Sequence, residues 1–200
     1  MQQRNYQREM DALIASLGVR PRLLLHSCCG PCSSACLERL APHFDIDVFF
    51  YNPNILPAEE WEKRLFWQRH LLEAAPFGKD VGLIVPERDE AAFRLAAAGL
   101  EGESEGGARC TECFVLRLTR TAAAAREGGY DYFATTLTVS PHKNAPLINA
   151  IGEKLAGEYG VSWLPSDFKK RDGYRRSIAL SHEYGLYRQS WCGCGLPENT

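Results

Sequence analysis

Five short apolar runs punctuate the chain: Leu23 to His26, Asp45 to Tyr51, Val81 to Val85, Tyr132 to Thr136 and Val161 to Leu164. Each has strand length and lacks a helical repeat. Between them, Ser33 to Leu40, Glu59 to Ala75, Ala91 to Leu100, Cys110 to Arg126, Asn144 to Tyr159 and Arg175 to Tyr184 read as helices. Ahead of the first strand, Tyr6, Met10, Leu13 and Leu17 recur at helical spacing, and Gly18 ends that helix. Strands alternating with helices predict a parallel sheet with right-handed crossovers and helices on both faces. The expectation is a single Rossmann-like α/β catalytic domain over residues 20–200, preceded by a helical extension over residues 1–19. Strand order does not follow from this pattern.

The first strand runs straight into His26-Ser27-Cys28-Cys29-Gly30-Pro31-Cys32. Gly30-Pro31 predicts a turn, and Ser33 and Ser34 suit the first turn of the following helix. Open α/β sheets place ligands outside the carboxyl ends of their strands, where the amides of a helix start favour thiolates and other anions. Two more groups, Cys110-Thr111-Glu112-Cys113 and Cys192-Gly193-Cys194, lie far away in sequence. Eight cysteines in three tight groups suggest a common destination. Cys36, one helical turn beyond Cys32, is the exception and reads as a small core hydrophobe.

Composition narrows the classes. Two hundred residues, 45% hydrophobic and 10% aromatic, suffice for one sizeable core. A formal charge of −2 gives no overall basic character from which nucleic-acid binding could be inferred. Met1 to Arg8 is polar, and no run approaches the ~18 apolar residues of a membrane span. A cytoplasmic, membrane-free location is therefore expected, and in that reducing setting metal ligation or redox chemistry is favoured over structural disulfides.

Three chemistries compete for the cysteines. Cys29-Gly30-Pro31-Cys32 copies the thioredoxin dithiol, but that reading leaves Cys28 and both distant pairs unexplained. One structural zinc would consume four of the eight thiolates. An iron-sulfur cluster would use four and leave three for an adjacent metal. Tyr51 and Asn54, in the loop after the second strand, and Thr138, Ser140 and Lys143, in a polar loop after the fourth, should face the same edge. Lys169, Lys170, Arg171, Arg175 and Arg176 form the densest basic run, a solvated surface or a phosphate-binding one.

Several segments together are specific: Cys28-Cys29-Gly30-Pro31-Cys32, Tyr51-Asn52-Pro53-Asn54-Ile55, Arg109-Cys110-Thr111-Glu112-Cys113, the stretch from Thr135 to Lys143, Asp167-Phe168-Lys169-Lys170, and the stretch from Gly185 to Cys194. On these the chain resembles the QueH family of cobalamin-independent epoxyqueuosine reductases. The fold this implies is Rossmann-like, of the HUP (adenine nucleotide alpha hydrolase-like) kind. The activity implied is two-electron reductive deoxygenation of an epoxide on the queuosine precursor, at the wobble position of a tRNA with a GUN anticodon. The resemblance further implies a [4Fe-4S] cluster, a second metal ion expected to be iron, and a reductant or electron-transfer protein as partner. Family members can carry Asp at the position matching Cys32, which suggests a metal ligand there. Our expected division gives Cys28, Cys110, Cys113 and Cys192 to the cluster, with Cys29, Cys32 and Cys194 holding the second, catalytic metal. Tyr51, Asn54, Thr138, Ser140, Lys143, Lys169, Lys170 and Arg176 are the expected substrate and tRNA contacts. The alternatives are a tRNA-thiolating enzyme of the PP-loop class, whose Ser-Gly-Gly-rich phosphate loop is missing after the first strand, and a noncatalytic zinc module that binds RNA.

Overall fold

The computed structural model describes residues 4–195. Strand β1 (Arg22–His26) lies at the centre of a five-stranded sheet with β2 (Asp45–Phe49), β3 (Gly82–Ile84), β4 (Tyr132–Thr135) and β5 (Ser162–Trp163). All pairings are parallel and the order is β3-β2-β1-β4-β5, with Leu25 level with Val48 on one side and Ala134 on the other. Being central, β1 is buried on both faces, which is why its sequence is an unbroken apolar run.

Successive side chains of β1 serve opposite cores. Leu23 and Leu25 pack with Cys36, Leu37, Leu40 and Val48 beneath helices α1 (Tyr6–Ser16), α2 (Gly30–Leu40) and α7 (Gly173–Glu183). Leu24 faces Phe114, Leu118, Phe133 and Ile148, under α5 (Ala108–Glu127) and α6 (Ala145–Tyr159). Helices α3 (Ala58–Ala74) and α4 (Glu90–Ala96) complete the layers. Met10 of α1 is buried in the first core, and Asp11 pairs with Arg39 at 2.9 Å and Arg171 at 2.6 Å. Among the described residues, no helix is long and apolar enough to cross a membrane.

Three local expectations need correction. Helix α2 begins at Gly30, three residues before Ser33, because proline suits the first turn of a helix as well as it suits a turn. A Cβ at Gly30 would meet the Trp67 carbonyl oxygen at 2.5 Å, so glycine lets α2 start against the backbone of α3. Helix α4 stops at Ala96 rather than Leu100; Gly99, at φ +77°, takes a conformation other residues avoid. Thr136, expected to end the fourth strand, and Leu137 to Val139, expected in a polar loop, form a buried 3₁₀ turn.

Strand order reverses between β1 and β4. At such a switch point the chains leaving the two strands diverge and open a crevice at their carboxyl ends. The cysteine loop leaves β1 there, and the Thr136–Val139 turn leaves β4 beside it.

Candidate metal centre

The loop after β1 is held by buried polar groups. Ser27 and Ser33 hydroxyls donate to Gln68 Oε1 at 2.8 and 2.7 Å, and Asn52 Nδ2 donates to the Ser27 carbonyl at 2.8 Å. Cys29 caps α2, its Sγ accepting from the Cys32 amide at 3.4 Å and from Gln189 Nε2 at 3.0 Å. Capping curls the loop so that the Sγ atoms of Cys28, Cys29 and Cys32 lie within 4.8 Å of one another. A tetrahedral metal with bonds of about 2.3 Å to sulfur sets its ligand sulfurs about 3.8 Å apart. Cys28 Sγ and Cys29 Sγ are 3.8 Å apart, so the triad is sized for one metal ion.

This triad is also electrostatically unequal. Hydrogen bonding from Cys29 and Cys32 holds the Cys28 thiol well below its ordinary range, with Arg117 and His26 adding to the effect against burial. Burial and Cys28 push Cys29 up to about 12, and its two neighbours followed by burial raise Cys32 as well. Metal binding to such a triad releases the thiol protons in exchange for the cation.

Four of the other five cysteines meet along one small cavity. Cys110 and Cys113 come from the first two turns of α5, and Cys192 and Cys194 from the irregular arm after α7; all four line the same space with Arg117 and Trp191. Arg64, buried in α3, holds the arm by donating to the carbonyls of Cys192 at 2.9 Å and Trp191 at 3.3 Å, with Glu60 balancing its charge at 2.6 Å. Burial raises Cys113 to about 11 with Arg117 opposing, and raises Cys192 with Lys143 and Arg117 opposing. All eight cysteines are free.

A second, larger cavity of about 630 Å³ opens over the triad. Its volume falls within the roughly 300–1,000 Å³ usual for small-ligand sites. Cys28 and Cys32 lie in its wall with Asn54, Ser140, Lys143, Tyr174, Gln189 and Trp191, and Arg117 and Cys192 belong to both cavities. Asn54 Oδ1 and Gln189 Oε1 are buried acceptors without a partner, and so offer hydrogen bonds to whatever fills the space. Lys143 Nζ sits 2.5 Å from Glu105 and 3.5 Å from Cys192 Sγ; burial opposes its charge, but Cys192 and Glu105 hold its pKa above the ordinary value.

Of the expected contacts, Asn54, Ser140 and Lys143 line this cavity. Tyr51 is instead buried, its ring stacked on Phe49 at 6.1 Å, and Thr138 is buried against the Ser166 hydroxyl at 3.1 Å. Lys169 pairs with Asp167 at 2.7 Å and Arg176 with Glu38 at 2.6 Å, whereas Lys170 is exposed; none of the three reaches the cavity. Cys28 and Cys32 line the larger cavity, Cys110, Cys113 and Cys194 the smaller one, and Cys192 lines both. Cys36 is fully buried in the first core, as its spacing suggested. Neither Arg64 nor Arg117 stands out in the sequence, since each is one more arginine within a helical stretch. Gln189 and Trp191 figure there only as part of a motif.

Fold and site together define a doubly wound α/β protein whose switch point is built from cysteine thiols able to hold metal. A sequence profile described as "Epoxyqueuosine reductase QueH" matches residues 23–199. Similar chains, each named epoxyqueuosine reductase QueH, include one from Staphylococcus epidermidis at 44% identity, covering 95% of this chain and 83% of that protein. Another, from Streptococcus pyogenes, is 43% identical over 95% of this chain and 76% of its own length. A third, from Thermotoga maritima, is 36% identical over 86% of this chain and 88% of its own. The chain belongs to the QueH family, a family of oxidoreductases.

Proposed function

We propose that this chain is itself an epoxyqueuosine reductase acting on the wobble base of tRNA, with a [4Fe-4S] cluster and a second metal ion, iron, as cofactors. The observation that carries this reading is a pair of cavities that share Arg117 and Cys192 in their linings: three thiols at single-ion spacing, two of them in the wall of a space of about 630 Å³, and four more around the smaller cavity. The donor set suits both groups, since free thiols outnumber what one ion needs and Arg117 brings a buried positive charge to offset theirs. On this reading Cys110, Cys113, Cys192 and Cys194 hold the cluster, and Cys28, Cys29 and Cys32 hold the second metal. When bound, the cluster supplies electrons singly and the second metal Lewis acidity toward an oxygen.

Removing an epoxide oxygen as water, leaving an alkene, consumes two electrons and two protons. The chain's own residues select and hold the base for that change. Tyr174 and Trp191 offer aromatic faces to a base splayed out of an anticodon loop, the state in which single-stranded RNA is read. Asn54 Oδ1 and Gln189 Oε1 accept from hydroxyl or amine donors of the modified ring, and Lys143 Nζ keeps a proton and positive charge at the wall. On this proposal residues 20–200 are the catalytic domain and residues 1–19 an extension, whose helix α1 packs Met10 into the first core.

The test is anaerobic purification, followed by iron, sulfide and zinc analysis and by incubation with epoxyqueuosine-containing tRNA and dithionite. We expect brown protein holding iron and acid-labile sulfide that forms queuosine. Colourless protein active with stoichiometric zinc alone would refute the cofactor reading, and loaded protein inert toward the tRNA would refute the substrate.

A further inference from the structure

Arg117 projects from the middle of α5 into the ground between the two groups of cysteines and is only 2% exposed. Its Nε donates to His26 Nε2 at 3.3 Å, one terminal nitrogen donates to Asn52 Oδ1 at 2.7 Å, and the other lies 3.9 Å from Cys113 Sγ. A buried cation ordinarily has an anion against it, because desolvation otherwise costs several kcal/mol. Arg64, the other arginine buried to this extent, has Glu60 at 2.6 Å. Arg117 has no carboxylate within ion-pair distance among the described residues. Its closest partners are no substitute: Asn52 is neutral, and the His26 imidazole, which accepts from Arg117 Nε, supplies no negative charge.

The charged-state partners left to the guanidinium are sulfurs from three elements: Cys113 of α5 itself, at 3.9 Å, Cys28 from the loop after β1, which lines the larger cavity with it, and Cys192 from the arm, which lines both cavities with it. The nearby ammonium, Lys143, is already matched by Glu105. The fold thus keeps one unpaired positive charge at the boundary of both cavities, out of reach of salt screening.

We propose that Arg117 is the built-in counter-cation of the cysteine centre and sets its reduction potential. The inference rests on the cluster reading above. Reduction adds a negative charge to a thiolate-ligated cluster, and a fixed neighbouring cation stabilises the more negative state. Arg117 therefore raises the potential and eases electron entry. It is a positioning residue of the electrostatic kind, acting through the cluster.

The test is a mediator-coupled redox titration of reconstituted protein, followed by visible absorbance and by electron paramagnetic resonance. Arg117→Gln should lower the equilibrium constant for one-electron reduction at least tenfold, a downward shift of about 59 mV or more. Arg117→Lys, which keeps the charge, should stay within threefold of the parent. Asn52→Asp places a carboxylate against the guanidinium while giving up the Nδ2 bond to the Ser27 carbonyl; at unchanged iron and sulfide content it should lower the potential in the same direction, and it serves where loss of Arg117 prevents folding. Parent, Arg117→Gln and Asn52→Asp all titrating within threefold of one another would overturn the role of Arg117 while leaving the cluster reading intact. Parent protein without iron and sulfide would overturn both.

Discussion

Replacing Arg64 by Met should release the arm that carries Cys192 and Cys194 while leaving the sheet intact. Arg64 donates to two arm carbonyls, at 2.9 and 3.3 Å. Hydrogen bonds with one charged partner contribute about 1.5–3 kcal/mol each, so together they hold the arm by about 3–6 kcal/mol. The described arm has another backbone tie, the Leu56 amide donating to the Gly193 carbonyl at 2.7 Å, and an ordinary bond of that kind adds only about 1 kcal/mol. With about 1.4 kcal/mol per factor of ten, even the lower figure multiplies arm opening about a hundredfold.

The Leu56 amide reports that opening directly, because its acceptor leaves with the arm. Hydrogen exchange on metal-free protein should show Leu56 protection falling about a hundredfold in Arg64→Met, with the amides of Leu24 and Leu25 in β1 unchanged. Reconstituted iron and sulfide should fall in parallel. Glu60→Gln is the control: it removes the ion pair at 2.6 Å but leaves both carbonyl bonds, so Leu56 should stay protected. If Leu56 in Arg64→Met exchanges within threefold of the parent, Arg64 does not hold the arm.

Cys32→Asp should retain the second metal and turnover and Cys32→Ala should lose both with cluster absorbance preserved, whereas Cys36→Ala, deep in the first core, should cost about 1 kcal/mol of stability and leave metal content unchanged, as elemental analysis and denaturant titration would read. Gly152→Ala should destabilise the protein by up to about 2 kcal/mol in urea titration: a Cβ there would meet the Trp163 indole at 2.3 Å, and overpacking toward the top of the usual range of about 1–3 kcal/mol outweighs the roughly 1 kcal/mol gained in helix propensity. For tRNA binding, Lys170→Ala should lower the salt slope by about 0.7–0.9, and Arg176→Ala, whose charge Glu38 already matches, by less than half as much; equal slopes would show that the Glu38 pair opens on binding.

What could be read along the chain, and what could not, divides by physical cause. The strands and their parallel sheet were legible because burial on both faces of β1 demands an unbroken apolar run, and because the crossover helices have a period of their own. The cysteines were legible because so many reactive side chains in three tight groups have no packing explanation. Side-chain direction in loops was not. Tyr51 and Thr138 were expected at the site from their position after a strand, yet Tyr51 continues the alternation of β2 and lands on Phe49, and Thr138 turns into the Ser166 hydroxyl. Gly30-Pro31 supports a turn and a helix start equally well, and only the close approach of the Trp67 carbonyl, far along the chain, decides between them.

Charge was the least legible property, because its meaning depends on partners remote in sequence. Counted locally, Lys169 to Arg176 is the basic feature of the chain; in the fold, Asp11, Asp167 and Glu38 answer Arg171, Lys169 and Arg176 and leave Lys170 as its unmatched, exposed lysine. Arg117 is the reverse case. Flanked on α5 by Leu116 and Leu118, it looked like one polar position on an amphipathic helix, and its own helix supplies no carboxylate to it. Only when β1 brings His26 and Cys28 beneath it, and the arm brings Cys192 across, does an unremarkable arginine become a buried cation surrounded by sulfur. Burying that charge without a carboxylate costs the metal-free chain stability, so binding an anionic thiolate-ligated group there should stabilise the fold.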